Sequence, residues 1–489
     1  MYLGIDLGTS AVKVVLVDDA QTITGSAEEA LAPARPKPSW SEDDPDSWIA
    51  AVERALDRLR AEHPAAVAAT RAIGLSGQMH GALLLDAGDR PLRPAILWND
   101  GRAAAEAAEL AEHSAALNRR LGVAAMAGFT APKIVWLARH EPQVLAKTRR
   151  LLLPKDFVRL HLSGDFVTDV SDAAGTWLLD QQARRWDDEA VALCGVDPAW
   201  LPPILESPAP AGRLRSALAR RWGMRDDIVI AAGAGDVAAG GLSIGAIRPG
   251  DAFISLGTSA QFFTVASAHQ PDPERAVHAF CHALPATWFR MAALLNGASV
   301  LAAAAQWTGG ADIGGLLEET EKTFTGPSPL LALPYLSGER TPHNRPDLRG
   351  AIIGLDATTQ PTDIVQAMLE AVAFSLADAL NVLRGAGSTV ETAGLIGGGA
   401  RSTFWAKLIA SATGVELVKY EASDRGPAYG AARLARLSVS GEDASSVAVV
   451  PPIERIVKPE AALADAYQGR LEAFRSLYRA LAPEFSRQS

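Results

Sequence analysis

The chain has 489 residues, too many for one hydrophobic core, so two large domains are the simplest division. With 48% hydrophobic and 21% charged residues, its composition is that of a globular protein and excludes disorder along its length. A net charge of −10 argues against a nucleic-acid surface, and a polyanionic ligand would have to be met by a metal ion or directed backbone amides.

Two apolar, β-branched runs open the chain, Met1 to Leu7 and Ala11 to Val17, with the polar turn Gly8-Thr9-Ser10 between them. This is a hairpin signal. Asp6 closes the first strand where a secretion signal would need an apolar core, so no signal peptide is expected. Backbone N–H groups and two hydroxyls in such a turn can form an anion-binding concavity, although a decorated hairpin would read the same way.

Residues 33–46 form a Pro-rich loop, and Asp46 to Leu59 follows a helical pattern through Trp48, Val52 and Leu56. A strand at Ile73 to Leu75 runs into the polar, glycine-bracketed stretch Ser76-Gly77-Gln78-Met79-His80-Gly81. Strands follow at Leu83 to Leu85 and at Ala95 to Trp98, the latter ending in Asn99-Asp100-Gly101-Arg102. Polar residues gathered at strand ends suit a small-molecule pocket, with a hydrogen-bonded structural histidine the plain alternative for His80.

Gly128 to His140 has helical spacing, Leu151 to Asp156 reads as strand and turn, and Asp169 to Asp180 as a polar loop. Five prolines between Pro198 and Pro210 mark an extended connector. Ile228 to Ala232 is then a short buried strand, ended by Gly233 and Gly235, with a small-residue helix after it. It delivers one acid, Asp236, to a turn where bare backbone lets a ligand approach; such an acid is equally a helix N-cap.

A second Leu-Gly-Thr-Ser turn stands at Leu256-Gly257-Thr258-Ser259, again between apolar strands. Gly8 and Gly257 lie 249 positions apart, so the two copies suggest two similar domains that clamp one ligand. Met291 to Trp307 is uncharged but holds Asn296, Ser299 and Gln306, and reads as a buried helix rather than a membrane span. Leu333 to Asn344 is a long polar loop. Leu395 to Ser402 gives strand and glycine turn, with a helix from Thr403 to Thr413, and Tyr467, Leu471, Phe474, Leu477 and Leu481 mark an amphipathic, core-docking terminal helix.

Gly397 to Ser402, with Glu421 about 20 residues on, invites a dinucleotide-binding reading, but Ser402 replaces the third glycine and little chain remains for a second half. No lysine directly follows a glycine, which removes a Walker A loop. Cys194 and Cys281 are far apart in apolar or small-residue contexts and read as structural thiols.

The paired turns with a separate glycine pocket resemble the hexokinase–actin–Hsp70 superfamily and, within it, the FGGY carbohydrate kinases. The likeness covers nearly the whole chain. Gly128-x-Thr130-x-x-Lys133-Ile-x-Trp136-Leu-x-Arg-His140 resembles the first family signature, and Gly350-x-Ile352-x-Gly354-Leu355 with Asp363-Ile-x-x-Ala367-Met-Leu-Glu370 the second. Ile5 to Ser10, Gly77 to Gly81, Ile96 to Arg102, Ser171 to Thr176 and Leu336 to Asn344 are similar to the bacterial xylulokinases of that family.

The resemblance implies an α/β fold of two ribonuclease H-like domains flanking a central cleft. Residues 1–243 would hold the sugar site, the first phosphate turn and the catalytic acid; residues 244–489 would bind the nucleotide and end in the amphipathic helix. It implies Asp236 as general base, and Asp6 holding Mg²⁺ with the ATP phosphates. Gln78, Met79, His80, Trp98, Asp236 and Val237 would meet the sugar. Gly8, Thr9, Ser10, Gly257 and Thr258 would lie at the phosphates, with Gly297, Gly399 and Thr403 lining the base-and-ribose pocket. The residue after the base is usually Asn in xylulokinases, and here it is Val237, which opens the identity of the sugar. ATP-dependent phosphorylation of a ketopentose, foremost D-xylulose, is the expected activity, with another pentulose or a pentitol (ribulose, arabinitol) the alternative. A partner-driven ATPase and a sugar-sensing repressor are rivals; the repressor would need a basic helix-turn-helix, and the chain starts directly with a strand. A cytoplasmic enzyme is expected, bound to no membrane or nucleic acid, with a homodimer compatible.

Overall fold

The β-branched runs around Gly8 form the expected hairpin in a computed structural model that describes residues 1–310, 312–421 and 425–486. Strands β1 (Tyr2–Leu7) and β2 (Ala11–Val17) pair antiparallel with Asp6 opposite Lys13. They are followed by β3 (Ile23–Ala30), helix α1 (Pro45–Glu62), β4 (Ala72–Gly77), helix α2 (Thr130–His140), β5 (Pro210–Arg213), β6 (Val229–Ala231), β7 (Ala234–Gly235) and helix α3 (Asp236–Ser243). The first sheet runs β3-β2-β1-β4-β6-β5, with β7 also pairing β4.

The second lobe contains β8 (Ala252–Leu256), β9 (Ala260–Ala266), β10 (Val277–Cys281), β11 (Trp288–Leu294), α4 (Ala298–Trp307), α5 (Pro361–Gly385), β12 (Thr392–Ile396), α6 (Thr403–Thr413), β13 (Glu416–Tyr420), α7 (Gly426–Ser440), β14 (Ile453–Val457) and α8 (Ala461–Ser486). Its sheet runs β10-β11-β9-β8-β12-β13-β14. Setting β10 aside, β11-β9-β8-β12-β13-β14 repeats the first sheet strand for strand, with the same parallel and antiparallel pairings. The turns at Gly8 and Gly257 therefore join equivalent strands. The architecture is the anticipated α/β pair of ribonuclease H-like lobes.

Residue 244 is not a clean break in space. Helix α7, from late in the chain, lies on the first sheet so closely that a Cβ on Gly4 or Gly74 would sit 1.9 Å from the carbonyl oxygen of Ala428 or Ala431. Helices α3 and α7 cross at Gly430, where a Cβ would be 1.9 Å from Ala239 O. Arg433 Nη1 fastens the crossing by donating to Leu242 O at 2.6 Å. One apolar cluster runs through the junction, with Met79, Phe129 and Trp177 from one side and Phe263, Phe280 and Phe289 from the other.

Three local expectations change. Met291 to Trp307 is not one helix: β11 runs to Leu294 because it has ladder partners on both sides, and the Ala-rich run turns helical only after Gly297. Trp307 is 54% exposed rather than buried. Pro154 does not end a turn but opens a helix, Pro154–Ser163, where its missing N–H matters least. Asp169 to Asp180 is no surface loop, since Asp169, Ser171, Asp172 and Thr176 are buried and Val170–Ala173 is helical. Polar residues survive there because Lys155, also buried, has its Nζ 2.7, 2.8 and 3.1 Å from Asp156, Asp169 and Asp172. The terminal helix docks as expected, with Tyr467 and Phe474 buried.

Candidate active site

The parallel pairing of β1 with β4 sets Asp6 beside Ser76, and that of β7 with β4 sets Gly235 beside Gly77. The next residue, Asp236, starts α3. Three neighbouring strand ends thus bring two carboxylates to one edge of the sheet. Asp236 is not the N-cap; that place falls to Gly235, which is extended at φ −61°, ψ 148°. Its Oδ1 accepts the local Val237 N–H at 2.8 Å, and the group stays half-buried. A Cβ on Gly235 would meet Met79 Cγ at 2.8 Å, so the glycine lets Met79 lie against the backbone that presents the acid.

Burial first, then the negative charge of Asp6, pushes the Asp236 carboxyl up to about 7. Burial likewise lifts Asp6 to about 6, opposed by the hydrogen bond from Ser76 Oγ (2.6 Å) and by the charge of Lys13. Beneath them, Gly235 N–H donates to Ser171 Oγ at 3.2 Å, and Ser171 and Ser207 both donate to Asp169 Oδ2, at 2.6 and 2.7 Å. The polar stretch expected as a loop is therefore a buried brace for the strand end that carries Asp236.

Trp98 Nε1–H donates to Thr9 Oγ1 at 2.8 Å, and Thr9 Oγ1 donates to Gln78 Oε1 at 3.0 Å. Gln78 returns a hydrogen bond to Gly8 O at 3.4 Å. The Thr9 hydroxyl is thus committed to Trp98 and Gln78, while Ser10 is exposed at the turn. In the second turn Thr258 is exposed, and its carbonyl accepts Gly297 N–H at 3.1 Å and Ser299 Oγ–H at 2.7 Å.

His80 has a left-handed backbone, φ 70°, which Thr130 Oγ1 and Lys133 Nζ hold by donating to its carbonyl at 3.2 and 2.8 Å. Its Nδ1 lies 2.5 Å from Gly175 O. A carbonyl only accepts, so Nδ1 carries the proton and Nε2 is left as an acceptor. Burial holds the ring well below the ordinary histidine range, which keeps it neutral.

The first 243 residues match the model of the FGGY family of carbohydrate kinases, N-terminal domain, and residues 252–439 match the C-terminal domain of the same family. The chain belongs to the FGGY family of carbohydrate kinases. It is 42% identical over 485 residues to the xylulose kinase of Escherichia coli K12, covering 99% of both chains. A crystal structure of a xyloylose kinase from Brucella ovis superposes with a TM-score of 0.95 at 46% identity, over 99% of both chains. A gluconate kinase from Lactobacillus acidophilus shares the fold, with a TM-score of 0.93 at 24% identity over 100% of this chain and 99% of the other.

In this carbohydrate kinase, Asp6, Thr9, Gln78, Met79, His80, Trp98 and Asp236 gather at one end of the first sheet, and Val237 stands half-buried next to Asp236. Gly257, Thr258 and Gly297 gather on the second lobe. Gly297 is buried behind the turn, where a Cβ would be 2.6 Å from Gly257 O, so its bareness serves to brace the turn. Gly399 is also buried, against Leu256. The exposed members of that glycine run are Gly397 and Gly398, and a Cβ on Gly397 would lie 2.8 Å from Leu256 O, beside the second turn. Thr403 is half-buried at the start of α6, with Ser402 as its cap.

Sequence reading missed Lys13, the Asp169–Ser171–Ser207 brace and the two exposed glycines. Strand alternation could have found Lys13, since a cation on an apolar hairpin strand facing Asp6 breaks the pattern. The brace had no such signal.

Proposed function

We propose that this kinase transfers the γ-phosphoryl group of ATP to a primary hydroxyl of a ketopentose, D-xylulose first among them. The observation that carries the reading is Asp236: a half-buried carboxylate raised to about 7, at a strand end next to Asp6 and Met79. A carboxylate this basic accepts a proton from an attacking hydroxyl near neutral pH, which typically contributes roughly 10²–10⁴-fold in rate. Met79 and His80 flank the sugar, with His80 Nε2 taking a hydrogen bond from one of its hydroxyls. The amides of the two turns receive the phosphates, and positioning supplies most of the remaining acceleration.

The donor set suits Mg²⁺ bound chiefly through phosphate oxygens. Among the described residues no group of three or more His, Cys, Asp or Glu side chains is placed to hold a metal ion, and Mg²⁺ is usually held by one or two carboxylates plus substrate phosphates. Asp6 is the carboxylate offered to it, and when bound the ion would neutralise phosphate charge that an acidic protein does not. No helix among the described residues is long and apolar enough to cross a membrane.

The relatives named above as xylulose kinases support the pentulose, and Val237 supports a second reading in which another pentulose or a pentitol is the acceptor. Sugar-dependent ADP release over a panel of pentuloses and pentitols tests both. D-xylulose should give the highest kcat/KM; a panel in which no ketopentose stimulates release would overturn the proposal.

A further inference from the structure

The loop at Leu336 to Asn344 belongs to the second lobe, yet it sends Arg340 into the first lobe's pocket. The guanidinium carbon lies 5.9 Å from the Trp98 ring, and Nη2 would be 3.6 Å from a Cβ on Gly128. Gly128 is tied to His80 through Lys133, whose Nζ donates to Gly128 O at 2.7 Å and to His80 O at 2.8 Å, and through Phe129, whose ring centroid is 4.7 Å from that of His80. Arg340 therefore stands in the wall shared by Trp98 and His80.

Its guanidinium has no hydrogen-bond or ion-pair partner among the described residues. Arg340 is half-buried, and burial pushes its guanidinium below the ordinary arginine value. The neighbouring acid, Glu339, turns the other way: its Oε1 accepts Leu295 N–H at 2.7 Å and Arg340 N–H at 2.8 Å, and its Oε2 accepts from Asn296 at 3.0 Å. Arg340 also bears on His80, His278 and Lys133, none of them an anion. A desolvated fork of N–H donors with no acceptor among the described residues is a site for oxygen atoms of a ligand.

Arginine only donates, and His80 Nε2 only accepts. A carbonyl next to a hydroxyl meets that pair directly, the carbonyl on Arg340 and the hydroxyl proton on His80. A vicinal diol must turn both hydroxyls to do the same, and offers Arg340 the weaker acceptor. We infer that Arg340 is a specificity-determining residue that reads the carbonyl of an open-chain ketose, delivered to the sugar pocket by the nucleotide lobe. The inference rests on the proposed ketopentose function and adds to it the atom that separates ketose from polyol.

The test is sugar binding without nucleotide, by calorimetry, for D-xylulose and xylitol on the full-length protein and on Arg340→Gln. The expected result is a tenfold or greater loss of D-xylulose affinity, with xylitol affinity reduced less than threefold and ATP affinity within twofold. Arg340→Lys, which keeps the charge but not the fork, should recover part of the ketose affinity and serves as the variant if Arg340→Gln does not fold. Equal losses for ketose and polyol, or no loss for either, overturn the inference. A wild-type protein that releases no ADP with any ketopentose overturns the functional proposal instead, and the binding ratio reports on Arg340 separately from that.

Discussion

Replacing Asp236 with Asn should disable the enzyme and stabilise it, with a pH dependence that identifies the cause. In the folded protein the carboxyl holds its proton up to about pH 7, whereas unfolded it releases the proton near 3.8. Between those values the native state binds more protons than the unfolded chain, so this group's contribution to stability falls as pH rises. One pH unit corresponds to about 1.36 kcal/mol, so the step from pH 5.5 to 7 is worth roughly 2 kcal/mol. Solvent at the cleft reduces that to about 1 kcal/mol. Asparagine does not titrate, so the stability of Asp236→Asn relative to wild type should grow by that amount from pH 5.5 to 8. For a chain of 489 residues this is a calorimetric shift of about 1–2 °C. ADP release should fall roughly 10²–10⁴-fold while ATP still binds. A relative stability that is flat or declines with pH would refute the burial-and-repulsion account, and a variant keeping more than a few per cent of the rate would refute the base assignment.

Wild-type kcat/KM for the sugar should rise with an acid limb near pH 7, and an acid limb near 4 would detach Asp236 from the chemistry. Gly74→Ala places a methyl 1.9 Å from Ala431 O, so thermal unfolding should show a loss of at least about 2 kcal/mol; a neutral substitution would mean that α7 does not seat on β4 as described. Trp98→Phe removes the indole donor to Thr9 and should raise the sugar KM several-fold with a smaller effect on ATP, whereas equal effects on both substrates would argue against a pocket-wall role. Val237→Asn should tighten D-xylulose binding if that is the acceptor, and weaker binding would favour a different polyol.

The hairpins at Gly8 and Gly257 were legible in the sequence because strand alternation and turn chemistry are local, and the spacing between them announced the duplication that the matched sheets display. That Asp236, Met79 and His80 would be brought together was legible through the family likeness of their surroundings. What stayed hidden depended on distant packing. Asp169 to Thr176 looks like surface until Lys155, contributed by a separate helix, neutralises it in the interior. The break within Met291 to Trp307 cannot be read from composition: the whole run has helical content, and only the neighbours β9 and β10 make its start a strand. Arg340 sits in a stretch that carries the family likeness, but nothing local reveals that its side chain crosses to the other lobe.

The crossing of α3 and α7 at Gly430 has a mechanical consequence. With backbone touching backbone there is no slack for sliding there, so any relative motion of the two halves would be a rotation about that fulcrum. Rotation moves the rims far more than the pivot, so paired spectroscopic labels on the outer strands β3 and β14 test for it: a distance change on adding sugar and ATP, with labels near Gly430 almost still, would show a rotation about this crossing, and no change would show that substrates drive none.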